Sequence, residues 1–413
     1  MRSLFALGAA VLCAGLGHAQ TLTQVWTEVG DHGTVARVVV NSQNECPSIT
    51  VDGKATPMYV RLPIPQGLKP ACELAIPETA KSATVAVQGR TLALPHADPA
   101  RVVVIGDTGC RIKGGRVQDC NDPAKWPFKR VAVSAAESKP DLVIHVGDYL
   151  YREEPCPANA QADCGGTPSG DTWEAWDADF FEPAAQLLAA APWAFSRGNH
   201  ESCDRSWRGW FYYLDPRPFS GTCEAYSAPY LIKLGSLELM MLDSASAAEK
   251  TATKDYNPKG IEHYAAELAA AHVTHAWLVL HHPLWGLKAP AAGDASGLPT
   301  ETPNDVTAAW EKSPNKGIDM IVSGHTHLFE LLSFDHDRPT QLVAGDGGTD
   351  MAMPLPAKVA GLKVGGATLL SGQNLHEFGY TALTRSSPKK PWHLALSSSG
   401  NKVLEEATVP IAK

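Results

Sequence analysis

The chain has 413 residues, 44% of them hydrophobic, and its 35 Lys and Arg against 44 Asp and Glu give a formal charge of −9. That length allows more than one domain and a large buried core, and the composition excludes a collagen-like, coiled-coil or wholly disordered chain. The acidic balance leaves no basic stripe of the kind that holds a nucleic acid, and it disfavours adhesion to anionic membranes.

At the N-terminus Arg2 precedes an apolar run from Leu4 to Leu16, and Gly17-His18-Ala19 closes it with small residues where a signal peptidase reads. The pattern predicts a cleaved signal peptide over residues 1–19 and an exported chain, periplasmic or secreted. The run is shorter than the ~20 residues that a span needs, so no stable membrane anchor is expected. Of nine cysteines, Cys13 lies in this leader. The other eight fall as local couples, and an even count in an exported chain predicts disulfides. The simplest pairing is Cys46–Cys72, Cys110–Cys120, Cys156–Cys164 and Cys203–Cys223; free buried thiols are the alternative.

Residues 20–97 read as a small all-β sandwich standing apart from the rest. Short β-rich runs recur at 36–40, 58–62 and 83–87, punctuated by Pro and Gly, with no amphipathic helix pattern. After the linker Pro95–Pro99 the pattern becomes α/β. Buried strands are predicted at 101–106, 141–146, 193–196, 275–280 and 317–322, with strands at 229–234 and 237–243. Helices are predicted at 124–138, 173–190, 259–271 and 303–312, and the tail from 328 to 408 reads as strands and loops. Five times a buried strand ends and delivers Gly, Asp, Asn or His into the next loop. Ligand sites of open α/β sheets lie beyond the carboxyl ends of strands, so these five ends can meet at one pocket.

The polar residues delivered there are Asp107, Asp148, Tyr151, Asn199, His200, His281, His325 and His327. Carboxylate and imidazole together suit borderline-hard transition metals. So many donors exceed one tetrahedral ion and suit two ions that share a bridging carboxylate and keep open positions for water and substrate. A pair of metals ~3.5–4 Å apart can stabilise both oxygens of an in-line displacement.

The ordered motifs Gly-Asp, Gly-Asp, Gly-Asn-His-Glu, His-x-Pro and Gly-His-x-His resemble the calcineurin-like metallophosphoesterases. Two details resemble the purple acid phosphatase branch. The first motif is Asp107-Thr108-Gly109, without the His that many members carry, and Gly147-Asp148-Tyr149-Leu150-Tyr151 places a Tyr three residues after the second Asp. The resemblance covers roughly residues 100–350. It implies two stacked mixed sheets flanked by helices, with the catalytic domain at 98–413. It also implies a first metal on Asp107, Asp148, Tyr151 and His327, and a second on Asp148, Asn199, His281 and His325, with Asp148 bridging. The first ion would be Fe(III), because a phenolate is a hard anionic ligand, and the second divalent Fe, Zn or Mn.

The implied activity is hydrolysis of a small phosphomonoester by a metal-activated hydroxide. His200 matches a family residue that contacts phosphate or protonates the leaving group; its structural alternative is to orient the Asn199 loop. Further His residues usually follow the His-x-Pro His by eight to ten positions, but here 289–291 read Ala-Pro-Ala, so Lys288 is the nearest cation for a phosphate contact. Alternatives are a phosphodiesterase on the same centre, a non-catalytic exported binding protein on a phosphatase scaffold, and an iron redox protein. His145 reads as a packed strand residue, His282 as a neighbour of the ligands, and the aromatic run Trp207–Tyr213 as core or pocket wall rather than a base-stacking platform.

Overall fold

The computed structural model describes residues 24–409 except 86–88, 252–253, 291–297, 336–337, 357–358 and 389. The expected signal peptide and Cys13 lie outside the described residues. In the N-terminal region β1 (Gln24–Gly30) and β2 (Gly33–Val39) form a hairpin, followed by β3 (Ser48–Val51), β4 (Ala71–Ile76) and β5 (Ala83–Val85). β2 pairs with β4 and β3 with β5. Their alternating side chains Val25, Val38, Ile49, Cys72 and Val85 close one apolar core.

The α/β part begins with β6 (Arg101–Ile105), whose β-branched run suits a strand buried on both faces. Then come α1 (Phe128–Glu137), β7 (Leu142–His145), α2 (Glu182–Ala190) and β8 (Trp193–Phe195). A second series follows: β9 (Tyr230–Leu234), β10 (Leu237–Met241), α3 (Pro258–Ala270), β11 (Ala276–Val279), α4 (Asp305–Lys312) and β12 (Ile318–Ser323). The tail supplies β13 (Phe329–Phe334), β14 (Thr340–Ala344), β15 (Ala367–Leu375), β16 (Gly379–Thr384), β17 (Trp392–Ser398) and β18 (Val403–Val409).

These strands form a 10-stranded sheet, β18-β17-β16-β6-β7-β8-β1-β2-β4 plus Tyr59–Val60, and an 8-stranded sheet, β9-β10-β11-β12-β14-β13-β15 plus Lys363–Val364. The period of two decides which side chains go where. Val102, Val104, Leu142 and Ile144 meet Leu239, Met241, Val279 and Val322 between the sheets. Val103, Ile105 and Val143 turn to the other face, under α1 and α2, while Met240, Leu278 and Ile321 pack beneath α3 and α4. This is the stacked pair of mixed sheets, flanked by helices and preceded by an all-β region.

Two details differ from the sequence reading. The β region of residues 20–97 does not stand apart at the level of the sheet: β1 pairs in parallel with β8, Glu28 opposite Trp193. Buried Arg37 and Arg61 reinforce that join, donating to the backbone carbonyls of Tyr213 and Phe211 respectively, and both to that of Asp215. The helix read as continuous over 173–190 contains a π-turn at Asp177–Phe181. Pro183 has no N–H to give the carbonyl four residues back, and the widened turn sets Asp179 inward. All four expected disulfides are present: Cys46–Cys72, Cys110–Cys120, Cys156–Cys164 and Cys203–Cys223. They agree with an oxidising compartment. No helix among the described residues is long and apolar enough to cross a membrane.

Candidate metal centre

β6, β7 and β8 run parallel in one sheet, and β10, β11 and β12 do so in the other. Their carboxyl ends therefore open on one edge of the sandwich. Asp107 follows β6; Asp148 and Tyr151 follow β7; Asn199 and His200 follow β8. His281 and His282 follow β11, while His325 and His327 follow β12. The backbone bends sharply at three of these positions: Asp107, Asp148 and His325 have φ of 53°, 61° and 73°. Each such non-glycine conformation costs roughly 1–2 kcal/mol, and strain of this kind concentrates at functional sites. Gly147 and Gly198 let the chain segments touch. A Cβ on Gly198 would sit 2.1 Å from the Asp148 nitrogen, and one on Gly147 would sit 2.6 Å from His281 Nδ1.

All seven expected ligands are brought together. On one side Tyr151 Oη lies 2.6 Å from Asp148 Oδ2, 3.2 Å from Asp107 Oδ1 and 2.9 Å from His327 Nε2. On the other, His281 Nε2 lies 3.2 Å from Asp148 Oδ2 and 3.0 Å from Asn199 Oδ1, and His325 Nδ1 lies 3.1 Å from Asn199 Oδ1. Asp148 belongs to both groups: Asp107, Asp148 and His327 form one potential cation site, and Asp148, His281 and His325 another.

The surroundings fix which ring nitrogen is free. His281 Nδ1–H donates to the Val146 carbonyl at 2.8 Å, and His327 Nδ1–H donates to the Asp350 carbonyl at 2.7 Å. Each therefore presents an unprotonated Nε2 to the centre. His325 is turned the other way: its Nε2 meets Glu249 Oε1 at 2.5 Å, leaving Nδ1 to face inward. As a result His281 Nε2 and His325 Nδ1, 3.2 Å apart, approach each other and Asn199 Oδ1 as lone-pair bearers. A shared cation satisfies this arrangement of acceptors. The donor set of carboxylates, imidazoles, an amide oxygen and a phenol fits a pair of borderline-hard ions.

Electrostatics point the same way. Burial, together with the charge of Asp148, holds the Asp107 carboxyl well above the usual carboxylate range, while His281 and His200 hold Asp148 well below it despite its own burial. Burial and the nearby Arg111 cation pull His327 down to about 3, so its imidazole is neutral and available as a ligand. Burial and the two carboxylates push the Tyr151 phenol up. A cation beside the phenol reverses that balance.

His200 is buried and lies against the Tyr151 ring, centroids 3.7 Å apart. Its backbone N–H donates to Asp148 Oδ1 at 2.8 Å, its Nε2 is 3.8 Å from Asp148 Oδ2 and its Nδ1 is 2.5 Å from Glu153 Oε1. Lys288 is exposed on the wall of the same cleft. His282 is buried against His325, and His145 stacks on Tyr149 and shares a hydrogen bond with Thr108. Trp210 to Tyr213 are core, not a stacking platform.

Several supporting residues had not been singled out. Glu201 accepts four backbone N–H groups, from Asp148, Tyr149, Leu150 and Gly198. Its position as last residue of Gly-Asn-His-Glu was the available signal. Asp179 accepts from the N–H groups of Cys110, Tyr151 and Arg152. Glu249 sits in no motif, and only the tertiary fold brings it to the cleft, whereas Arg111 and Glu153 lie just beyond the motif residues Gly109 and Tyr151, outside any pattern that marks them.

A sequence model of the calcineurin-like phosphoesterase family matches residues 100–329. The chain belongs to this family, and the fold with its paired cation sites is that of a metal-dependent phosphoric ester hydrolase. In structure it is similar to a purple acid phosphatase from yellow lupin (Lupinus luteus) seeds, with a TM-score of 0.58 and 14% identity over 94% of this chain and 74% of that one. It is also similar to PhoD, with a TM-score of 0.57 and 11% identity over 96% and 90% of the two chains. No curated protein sequence matches it significantly.

Proposed function

We propose that the chain is an exported phosphomonoesterase of the purple acid phosphatase type, acting on small phosphate esters and not on nucleic acid. Asp107, Asp148, Tyr151 and His327 would hold a ferric ion; Asp148, Asn199, His281 and His325 would hold a divalent ion, Fe, Zn or Mn. The observation that carries this reading is the convergence of inward-facing lone pairs on two sides of Asp148, with a phenol where the first motif lacks its His. Bound there, the two cations would supply positive charge to the phosphate oxygens and an activated water.

The chain's own residues do the rest. Glu153 holds His200 by Nδ1, which leaves Nε2 toward the cleft to bind a phosphoryl oxygen or to give a proton to the departing alkoxide; a group so placed is worth about 10²–10⁴-fold. Burial lowers the affinity of this imidazole for a proton, and Asp148 and Glu153 raise it. Lys288 offers an exposed cation at the rim. The leader-like N-terminus and four disulfides support export.

The test is phosphate release from p-nitrophenyl phosphate by the metal-loaded protein, with Asp148→Ala as the comparison. Release by the native chain and its loss in a folded Asp148→Ala variant are expected. Equal release by both refutes the site, and a faster reaction with bis(p-nitrophenyl) phosphate makes the chain a phosphodiesterase.

A further inference from the structure

Four buried arginines of this chain, Arg37, Arg61, Arg152 and Arg197, each contact a carboxylate. Arg111 is half-buried in the wall of the metal cleft and, among the described residues, contacts none. Among the described residues nothing hydrogen-bonds to its guanidinium, and its Nε is shut off from solvent without a partner. The guanidinium lies over the Tyr151 ring at 5.2 Å from the centroid, and its charge is felt at His327. It is thus beside the first cation site on the open side of the cleft.

The backbone that carries it is fixed from several directions. Arg111 N–H donates to Gln118 Oε1 at 3.1 Å, and Gln118 N–H returns to the Arg111 carbonyl at 2.8 Å. Next to it, Cys110 is tied to Cys120 and donates its N–H to Asp179, while Ile112 N–H donates to the Tyr151 carbonyl at 2.9 Å. Holding a cation rigidly, partly out of water and without a counter-charge is unfavourable unless an anion arrives to meet it. A planar guanidinium suits two oxygens of one phosphoryl group.

We propose that Arg111 is the residue that makes this site prefer dianionic phosphomonoesters. Its guanidinium binds the non-bridging phosphoryl oxygen that points away from the cation pair. A diester presents an uncharged ester oxygen at one such position, so it gains little there. The inference rests on the phosphomonoesterase reading above and adds to it the group that reads substrate charge.

The experiment compares the metal-loaded native protein with Arg111→Gln and Arg111→Lys on p-nitrophenyl phosphate and bis(p-nitrophenyl) phosphate. Bound metal and the unfolding midpoint are measured on each sample, and inorganic phosphate is titrated calorimetrically. Arg111→Gln is expected to lower kcat/KM for the monoester about 10- to 100-fold, and for the diester less than about 3-fold. Inorganic phosphate should bind at least about 10-fold more weakly, with metal content unchanged, and Arg111→Lys should recover part of both losses.

An equal fall on both substrates, or a fall that tracks lost metal, assigns Arg111 to support of Tyr151 and overturns the proposal; so does unchanged phosphate binding. If the native protein cleaves neither ester, the phosphomonoesterase reading fails on the native chain alone, and the phosphate titration still reads the Arg111 contact.

Discussion

The phenol oxygen of Tyr151 lies 2.6 Å from Asp148 Oδ2, although the two residues are only three apart and both are buried. The left-handed backbone at Asp148 turns the chain so that both side chains face the same point. Tyr151 thereby takes the place beside Asp107 that a second residue of the first motif could have filled.

Tyr151→Phe tests that substitution of one ligand for another. Phenolate bound to ferric iron absorbs visible light, so the concentrated native protein is expected to be coloured and the variant bleached. Absorption spectra of equal iron loadings check this.

Glu201 collects four buried N–H groups from the two loops that present Asp148 and Asn199. Glu201→Gln puts an NH2 group against two of them. A stability loss of about 2–5 kcal/mol is expected from these unsatisfied donors, together with lower metal content. Denaturant unfolding and metal analysis measure the two.

Glu330 is fully buried, accepts from the Leu287 N–H, and is pushed up to about 8 by burial from an ordinary 4.5. The folded chain therefore keeps its proton where the unfolded chain has lost it. Its contribution to stability is complete below pH 4.5 and is lost as pH rises toward 8. The loss by pH 7 is on the order of 3 kcal/mol. Glu330→Gln should flatten this segment of the stability–pH curve and be more stable than the native chain at pH 8.

The Cys110–Cys120 bridge closes a short loop, worth about 3 kcal/mol in chain entropy. The double variant Cys110→Ala/Cys120→Ala should lose roughly that much stability. It should also weaken inorganic phosphate binding, because Arg111 follows Cys110 directly. Thermal unfolding and phosphate titration on the same preparation read both effects.

A chain beginning at residue 98 would bare the edge of β8, where β1 now pairs, and would strip Arg37 and Arg61 from the carbonyls of Phe211, Tyr213 and Asp215. Exposed edges of this kind pair with other chains. Such a truncated protein is expected to aggregate, as light scattering would show, rather than fold as a free catalytic domain.

Local chemistry determined much of this protein. Continuous apolar runs, rich in β-branched residues, that end in Gly-Asp, Gly-Asn-His and Gly-His-x-His mark strand ends whatever else the chain does, because β-branched residues favour strands and the Gly positions permit the tight turns. Cysteines close in sequence form the shortest loops, so their partners were readable as well, and the ligand types alone point to a pair of cations. What the tertiary structure alone decided depends on residues distant in the chain. Glu249 reaches His325 from a loop that carries no motif, and Glu153, just beyond the motif that ends at Tyr151, reaches His200 in another strand-end loop. Among the described residues Arg111 meets no carboxylate, because the folded cleft brings none to it. The β-region joins the catalytic sheet because β8 leaves an edge that β1 can fill. Hydrogen-bond partners and counter-charges across such separations are set by how sheets stack and strands pair, and linear spacing does not encode them.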